Sequence, residues 1–328
     1  FQLCNQLHSA IRVELAEQKI LTDKSVVRGR VKMAKSKIKE GPASVLFDAV
    51  NVLLLAVIVV VTVYPILYVI FASFSNGDRL LAHSGLLWKP LGFTAAGYKM
   101  VFKDPMIVRG YLNTIFVVVV GSFVSMAITV LASYFLARKE VVGQKAIMIY
   151  IIITMFFSGG MIPFYFTVRS LGFYNSIWAL VFPSAVNTFN LIVMKTNFQG
   201  VPDGLIEAAV LDGADHFIIL ASVVLPLVKP ILAVISLYYI VGRWNEWFYA
   251  MMFLQDRVKY PLQLVLRGIL IANDTNAMSA GTGFGDQEAV SESIKYGVIV
   301  VATVPILCIY PFLQKYFVKG TMVGAVKE

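Results

Sequence analysis

One polar stretch in an otherwise apolar sequence determines the fold class that we predict: Glu207-Ala208-Ala209-Val210-Leu211-Asp212-Gly213, followed nine residues later by Val223-Val224-Leu225-Pro226. Pro202 and Asp203 come just before it and favour a helix start, since proline has a fixed φ and an acid complements the helix dipole. Gly213 favours a helix end, because glycine readily forms a left-handed turn. Asp215 predicts the cap of a second short helix. The stretch therefore predicts two short helices in a polar loop between membrane spans.

The composition around this loop is that of an integral membrane protein. Of the 328 residues, 58% are hydrophobic and only 14% are charged, which lies outside the usual range of soluble proteins. The net charge is +9, but Lys and Arg concentrate between the apolar segments. This distribution indicates membrane topology and contact with lipid, and it argues against a nucleic-acid partner.

Six segments are long and apolar enough to cross the bilayer as helices, which requires about 20 residues for a core of about 30 Å. We therefore predict an all-α bundle of six transmembrane helices. The predicted spans are Val50–Phe74, Tyr111–Ala137, Lys145–Phe166, Ser176–Phe198, Ile231–Leu254 and Tyr296–Phe317.

The loop charges predict the orientation of these spans. Residues 1–49 carry nine Lys or Arg and no long apolar run, so we expect a basic cytoplasmic segment without a secretory signal. The domain 50–328 then spans the cytoplasmic membrane with both termini in the cytoplasm. Its polar loop, about residues 200–226, is cytoplasmic, and two long loops, about 75–110 and 255–295, lie outside.

The loop motif resembles the coupling loop of permease subunits in bacterial binding-protein-dependent ABC importers. It reads Glu-Ala-Ala, three residues, Gly, nine residues, an aliphatic residue, one residue and Leu-Pro, with Val223 where the family usually has isoleucine. The resemblance covers about residues 50–328 and includes Leu136-Ala137-Arg138. Two further stretches are similar to the carbohydrate branch, the smaller permease of maltose-type and complex-polysaccharide importers: Arg243-Trp244-Asn245-Glu246-Trp247 and Gln314-Lys315-Tyr316-Phe317-Val318-Lys319-Gly320.

The resemblance implies a type I permease bundle whose coupling helix docks on a separate ATPase. The implied partners are a second homologous permease, a dimer of ABC ATPase subunits and an extracellular or periplasmic solute-binding protein. The chain itself would catalyse nothing and hold no cofactor, with ATP and Mg used by the ATPases; it has no P-loop pattern. An interfacial helix without a docking partner is the alternative. The implied coupling residues are Glu207, Ala208, Ala209, Asp212, Gly213, Leu225 and Pro226.

Polar residues within the spans are candidates for the substrate pathway. Arg243 and Glu246 are costly in a membrane, and their spacing of three residues predicts that they share one helix face, where they would pair or line a cavity. Anchoring at the outer interface is the alternative. A polar strip in the fourth span suits a hydroxyl-rich solute, or it only holds the bundle together. The candidates are Asn187, Asn190, Arg243, Trp244, Asn245, Glu246 and Trp247.

The second outer loop has a polar, glycine-rich tip that the resemblance implies as the contact for the binding protein. Its candidate residues are Asn273, Thr275, Gly281, Gly283 and Phe284. Elsewhere, Gly159-Gly160 followed by Pro163 predicts a break in the third span. Three scattered histidines and two distant cysteines predict neither a metal site nor a disulfide.

The expected function is ATP-driven uptake of a sugar, most simply an oligosaccharide, by alternating access. A permease for a non-sugar solute such as an amino acid, phosphate or oxyanion would share the coupling loop. An ion-coupled secondary transporter would need acids at the midplane, and Glu246 is the only clear acid within the predicted spans.

Overall fold

The computed structural model describes residues 42–271 and 291–308, and within these ranges the chain forms helices and no strand, as predicted. The helices are α1 Pro42–Ser73, α2 Gly77–Leu81, α3 Ala96–Lys103, α4 Pro105–Ala137, α5 Gln144–Phe156, α6 Met161–Ser170, α7 Thr188–Gln199, α8 Asp203–Leu211, α9 His216–Ile219, α10 Lys229–Trp244, α11 Phe248–Phe253, α12 Leu262–Ile271 and α13 Ser291–Cys308. Short 3-10 turns occupy Ile177–Leu180 and Arg257–Lys259, while a π-helical turn, Leu220–Val224, and a final turn, Leu225–Leu227, continue α9.

Three helices of the described part are long and apolar enough to cross a membrane: α1, α4 and α13. Two bent pairs meet the same test, α5 with α6 at an angle of 117° and α9 to its last turn with α10 at 89°, which raises the number to five if each pair is one span. The first two predicted spans are thus single helices. The sixth is helical to Cys308, and the rest of it lies outside the described residues.

The third and fourth predicted spans are not continuous helices. The third breaks between Phe156 and Met161, at the predicted glycine pair. The fourth contains only a 3-10 turn and the 12 residues of α7, so the prediction of one helix over 176–198 is wrong. Asn187 caps α7, because its side-chain oxygen accepts a hydrogen bond from the Asn190 amide at 3.0 Å. The segment 181–187 between them is not a helix.

The fifth predicted span is also interrupted, because α10 ends at Trp244 and α11 begins at Phe248. The Asn245 side-chain amide donates to the Val241 carbonyl at 2.9 Å, and the Glu246 carboxylate accepts from the Tyr249 amide at 3.0 Å. Polar side chains that bind nearby backbone groups in this way compete with the helical ladder. The prediction that Arg243 and Glu246 share one continuous helix face is therefore wrong.

α4 lies at the centre of the packed helices and presents a row of small or hydroxylated residues to its neighbours. These buried residues are Gly110, Thr114, Gly121, Ser125, Thr129 and Ser133. Thr114 Oγ1 accepts from the Leu262 amide at 2.8 Å, which fixes α12. Thr129 Oγ1 lies 2.7 Å from Tyr239 Oη on α10, and Ser133 donates to the Leu191 carbonyl on α7 at 3.0 Å. Small residues that allow close approach and hydroxyls that bond between helices are typical of membrane bundles.

The chain divides into two units after Pro65, within α1. In the first unit, the described residues are the amino-terminal turns of α1, whose leucine and valine side chains are exposed. In the second unit, α3 and α13 cross closely at Gly97, where an added Cβ would lie 2.9 Å from the Ser293 carbonyl oxygen. Next to this crossing, Ser73 Oγ at the end of α1 lies 2.8 Å from Tyr98 Oη on α3.

Candidate functional site

The polar loop folds into the two short helices that its sequence predicts. α8 begins after Pro202 and ends at Leu211. Gly213 follows with a φ of +79°, and its amide donates to the Val210 carbonyl while the Ala214 amide donates to the Ala209 carbonyl, both at 2.9 Å. This pair of bonds is the Schellman ending, which requires a left-handed residue where Gly213 stands. Any side chain with a branched Cβ would strain this turn.

The second helix, α9, is capped by Asp215, whose carboxylate accepts from the Phe217 amide at 3.2 Å. It continues as the π-helical turn and reaches Leu227, with Pro226 in the last turn. The chain then turns by 89° into α10. The loop is thus joined to α10 by a single sharp corner at Val228, with no linker between them.

The apolar side chains of the loop divide into a buried and an exposed set. Ile206 and Ala209 pack against the buried cluster formed by α7, α9 and α10. Leu205 and Val210 on the same helix are exposed, as are Leu211 at 88% and Phe217 at 70%. Glu207 is also exposed. Apolar side chains grouped on an exposed loop are typical of a contact surface for another protein.

The segment after α4 fastens this loop at two places. Arg138 Nη1 lies 2.7 Å from His216 Nδ1 and donates to Tyr134 Oη at 2.9 Å. Because an arginine only donates, the His216 nitrogen must be the acceptor and carry no proton. Lys139 Nζ forms an ion pair of 3.0 Å with Asp203 at the start of α8. The first contact joins α9 to the end of α4, whereas the Lys139–Asp203 pair is largely exposed and adds little to the stability of α8.

A cavity of about 400 Å³ lies between the end of α4, the end of α7 and α8. Lys139 and Glu207 are among its lining residues, together with Tyr134 and Phe198. The cavity is thus lined by two cations, Arg138 and Lys139, and by three acids, Glu140, Asp203 and Glu207.

Arg243 lies in a different environment from the one that its sequence context suggests. It is 5% exposed, and its guanidinium donates to the carbonyls of Leu180, Val181 and Ser184 as well as to two serine hydroxyls. The two hydroxyls are those of Ser184 at 2.8 Å and Ser125 at 3.1 Å. Arg243 thus satisfies the open carbonyls of the non-helical segment after the 3-10 turn and joins this segment to α4. Its terminal nitrogens are occupied by the protein itself.

The other pathway candidates divide between the core and the surface. Trp244 is buried in the cluster around α12, and Asn190 is buried at the start of α7. Asn187 and Asn245 are exposed, and Trp247 is 37% exposed. Glu246 binds the first turn of α11, as described above. Neither Asn187 and Asn190 nor the candidates at 243–247 line the cavity described above.

Several residues of these sites were not singled out from the sequence. Arg267 on α12 places its guanidinium carbon 4.0 Å from the centroid of the Trp247 ring. Its signal is a lone cation in the apolar run Leu262–Ile271. Lys139 and His216 gave no signal, because their partners lie far along the chain.

Some predicted residues lie outside the described part. These are the proposed contacts of the second outer loop, Asn273, Thr275, Gly281, Gly283 and Phe284, and the carboxy-terminal stretch 314–320. In the described ranges, no three His, Cys, Asp or Glu side chains form a group that could hold a metal ion.

Comparisons with known proteins relate most of the chain to transport proteins. No family model matches it. It is 42% identical over 283 residues to Protein LplC of Bacillus subtilis (strain 168), which covers 86% of this chain and 95% of that protein. It is 39% identical over 287 residues to the polygalacturonan/rhamnogalacturonan transport system permease protein YtcP of the same organism, and the match covers 86% of this chain and 98% of that protein.

Among solved structures, the chain is similar to a chain in the crystal structure of a bacterial ABC transporter involved in the import of the acidic polysaccharide alginate. The TM-score is 0.78 and the identity is 31%, with 85% of this chain and 99% of that chain covered.

Proposed function

Because this chain belongs to the permease subunits of carbohydrate ABC importers, we propose that it forms one half of a two-permease channel that imports an oligosaccharide. An extracellular binding protein would deliver the sugar, and a pair of ATPase subunits on the cytoplasmic side would drive it across. Two relatives named as carbohydrate permeases support this role, because the match to this chain covers nearly the whole length of each. The alternatives, a non-sugar permease and an ion-coupled transporter, have no support among these relatives.

The observation that carries the proposal is the fixed loop with an exposed apolar surface. α8 ends in a left-handed turn at Gly213, and Leu211, Phe217 and the acidic Glu207 are all exposed. A short helix that ends in a defined turn and packs on the bundle can transmit a movement of the ATPase to the transmembrane helices. We propose that this surface seats in a cleft of the ATPase and that Glu207 meets a basic residue there.

The six-span topology with both termini in the cytoplasm completes the proposal. It places the end of α4 near Ala137, α8 and α9 on the side of the ATPase. The start of α4, α12 and the loop that follows α12 then face the binding protein. Sugar would pass the exposed polar groups at the breaks in the fourth and fifth segments, among them Asn187, Asn245 and Trp247.

The test compares Gly213→Val with Gly213→Asn in the complete importer, reconstituted in liposomes with its partner permease, ATPases and binding protein. Valine cannot adopt the left-handed turn without strain, whereas asparagine tolerates it. We expect Gly213→Val to lower both sugar uptake and binding-protein-stimulated ATP hydrolysis by about tenfold or more, and Gly213→Asn to keep most of both. Glu207→Lys should abolish both activities.

The amount of each variant in purified complexes, measured before reconstitution, serves as the control for folding. If complexes that contain Gly213→Val or Glu207→Lys assemble and transport at the wild-type rate, the loop does not couple the ATPase to this permease. Uptake that needs no ATP would disprove the wider proposal.

A further inference from the structure

Arg267 and Trp247 form a cation–π pair between two separate helical elements. The guanidinium carbon lies 4.0 Å from the centre of the indole ring, well within the range of a cation–π contact. Arg267 belongs to α12, and Trp247 stands at the break between α10 and α11. The pair therefore joins two elements next to an interruption in a transmembrane segment.

Within residues 42–271 and 291–308, this contact is the only one that engages the Arg267 guanidinium. Arg243 shows the contrast, because its guanidinium donates to three carbonyls and two hydroxyls of the protein. The ion pairs of the same ranges involve other cations, Arg138, Lys139, Lys259 and Lys295. Arg267 is neither fully exposed nor buried. A half-buried cation that keeps its N–H donors free at such a place is suited to an anionic ligand.

The stacked geometry selects among ligands. One face of the Trp247 ring is covered by the guanidinium, so that face is not open to stack directly on a neutral sugar. A guanidinium that lies over a ring keeps its N–H groups for hydrogen bonding to another partner. A planar edge of paired N–H donors matches a carboxylate, which it binds through two parallel hydrogen bonds.

Glu246, which directly precedes Trp247 in the sequence, already has a hydrogen-bond partner. Its Oε1 accepts the Tyr249 amide at 3.0 Å and holds the start of α11. Asn245, one residue before it, is exposed and donates one amide hydrogen to the Val241 carbonyl. Its side-chain oxygen can accept a hydrogen bond from a hydroxyl group. The break thus offers a guanidinium edge, an amide and part of an indole ring.

We propose that Arg267, stacked on Trp247, binds a carboxylate of the transported sugar, so that the importer takes acidic oligosaccharides built from uronic acids. The inference rests on the proposed function and specifies its cargo. It adds a specificity-determining residue to the pathway at the break between α10 and α11.

The test uses the complete reconstituted importer with two sets of probes: trimers of galacturonate and mannuronate, and the same trimers with their carboxyl groups reduced to alcohols. We expect ATP-dependent uptake of at least one uronate trimer by the wild type. Arg267→Gln should raise the KM for that trimer about 10- to 100-fold, the loss expected for a paired charged hydrogen bond, and Arg267→Lys should restore only part of it. Uptake of the reduced trimer should stay unchanged between wild type and Arg267→Gln.

Arg169→Gln is the matched control, because the exposed Arg169 on α6 also lies over an aromatic ring, with its guanidinium carbon 5.3 Å from the centroid of Tyr174. It should leave the KM of both kinds of trimer unchanged. The proposal is overturned if Arg267→Gln leaves uronate uptake intact, if it reduces uptake of uronate and reduced trimers equally, or if the wild type takes up only reduced trimers or neither kind. Failure of the proposed function is a separate result: no carbohydrate then enters the liposomes in response to ATP.

Discussion

Replacing Arg243 with methionine should destabilise the permease, because this side chain holds a non-helical segment in place. Methionine fills a similar volume but donates no hydrogen bond. The change leaves the carbonyls of Leu180, Val181 and Ser184 without the donor that they have in the wild type. Each unsatisfied buried acceptor costs about 1–3 kcal/mol.

The loss is partly offset, because the variant no longer buries a charge. At about 1 kcal/mol for each of the three carbonyls, the low end of the range, the expected net loss is about 3 kcal/mol. For a chain of this size, about 1 kcal/mol shifts the melting temperature by roughly 2–4 °C, so the midpoint should fall by about 10 °C. The measurement is thermal unfolding of the purified complex in detergent, followed by the loss of its peak in size-exclusion chromatography.

Ser125→Ala is the matched control, since it removes a single bond of 3.1 Å to the same guanidinium. It should cost about 1 kcal/mol and lower the midpoint by a few degrees. The reasoning is refuted if Arg243→Met melts like the wild type and reaches the membrane in normal amount while its uptake of sugar is lost. That result would mean that Arg243 contacts the sugar and does not serve to hold the segment.

Two other changes test the contacts of the bundle. Gly97→Val should reduce the amount of folded protein in the membrane severalfold, because its Cβ would lie 2.9 Å from the Ser293 carbonyl, whereas Gly268→Ala, where an added Cβ meets nothing within 4 Å, should leave the amount unchanged on an immunoblot. Arg138→Gln removes the contact of 2.7 Å with His216, so we expect more ATP hydrolysed per sugar imported at an unchanged amount of complex; an unchanged ratio of ATP to sugar would contradict the role of this contact in positioning the loop.

The parts of the fold that the sequence predicts well are those determined by local rules. α1 and α4 are long apolar runs, and each forms one helix. The loop helix, its left-handed end at Gly213 and the cap at Asp215 follow from residue types that have strong local preferences. In each of these, neighbours within a few residues provide the determining contact.

The interruptions in the fourth and fifth segments could not be predicted from hydropathy, because an apolar run is equally compatible with a straight helix and a broken one. What permits the break at residues 181–187 is a donor that lies about sixty residues later in the chain, the guanidinium of Arg243. Backbone groups at membrane depth need partners inside the protein. A rule that considers only neighbouring residues finds an unpaired cation in an apolar helix at Arg243. Its hydrogen-bond partners, about sixty residues away in the chain, show that it stabilises the fold.

The same difficulty applies to the candidate sites. Arg267 could have been noticed as a lone cation in an apolar run, but its pairing with Trp247 joins residues on separate helices. The pairing of Arg138 with His216 likewise spans the distance between α4 and α9. The chemistry of these side chains was visible in the sequence, whereas their partners depended on the packing of the helices.

The position of Arg243 connects the proposed coupling loop with the proposed sugar pathway. α10 starts directly after the corner that ends the loop and runs as one helix to Arg243 and Trp244, a length of about 22 Å. At the far end of α10, the Arg243 guanidinium donates hydrogen bonds to the segment that leads to Asn187 and α7. A displacement of α9 by the ATPase would therefore move α10 along its axis and pull on the non-helical segment, which can change shape more easily than a helix. Arg243 thus accounts for two features at once: its guanidinium satisfies the carbonyls at the break, and it attaches the broken segment to α10, the helix that follows the proposed coupling loop.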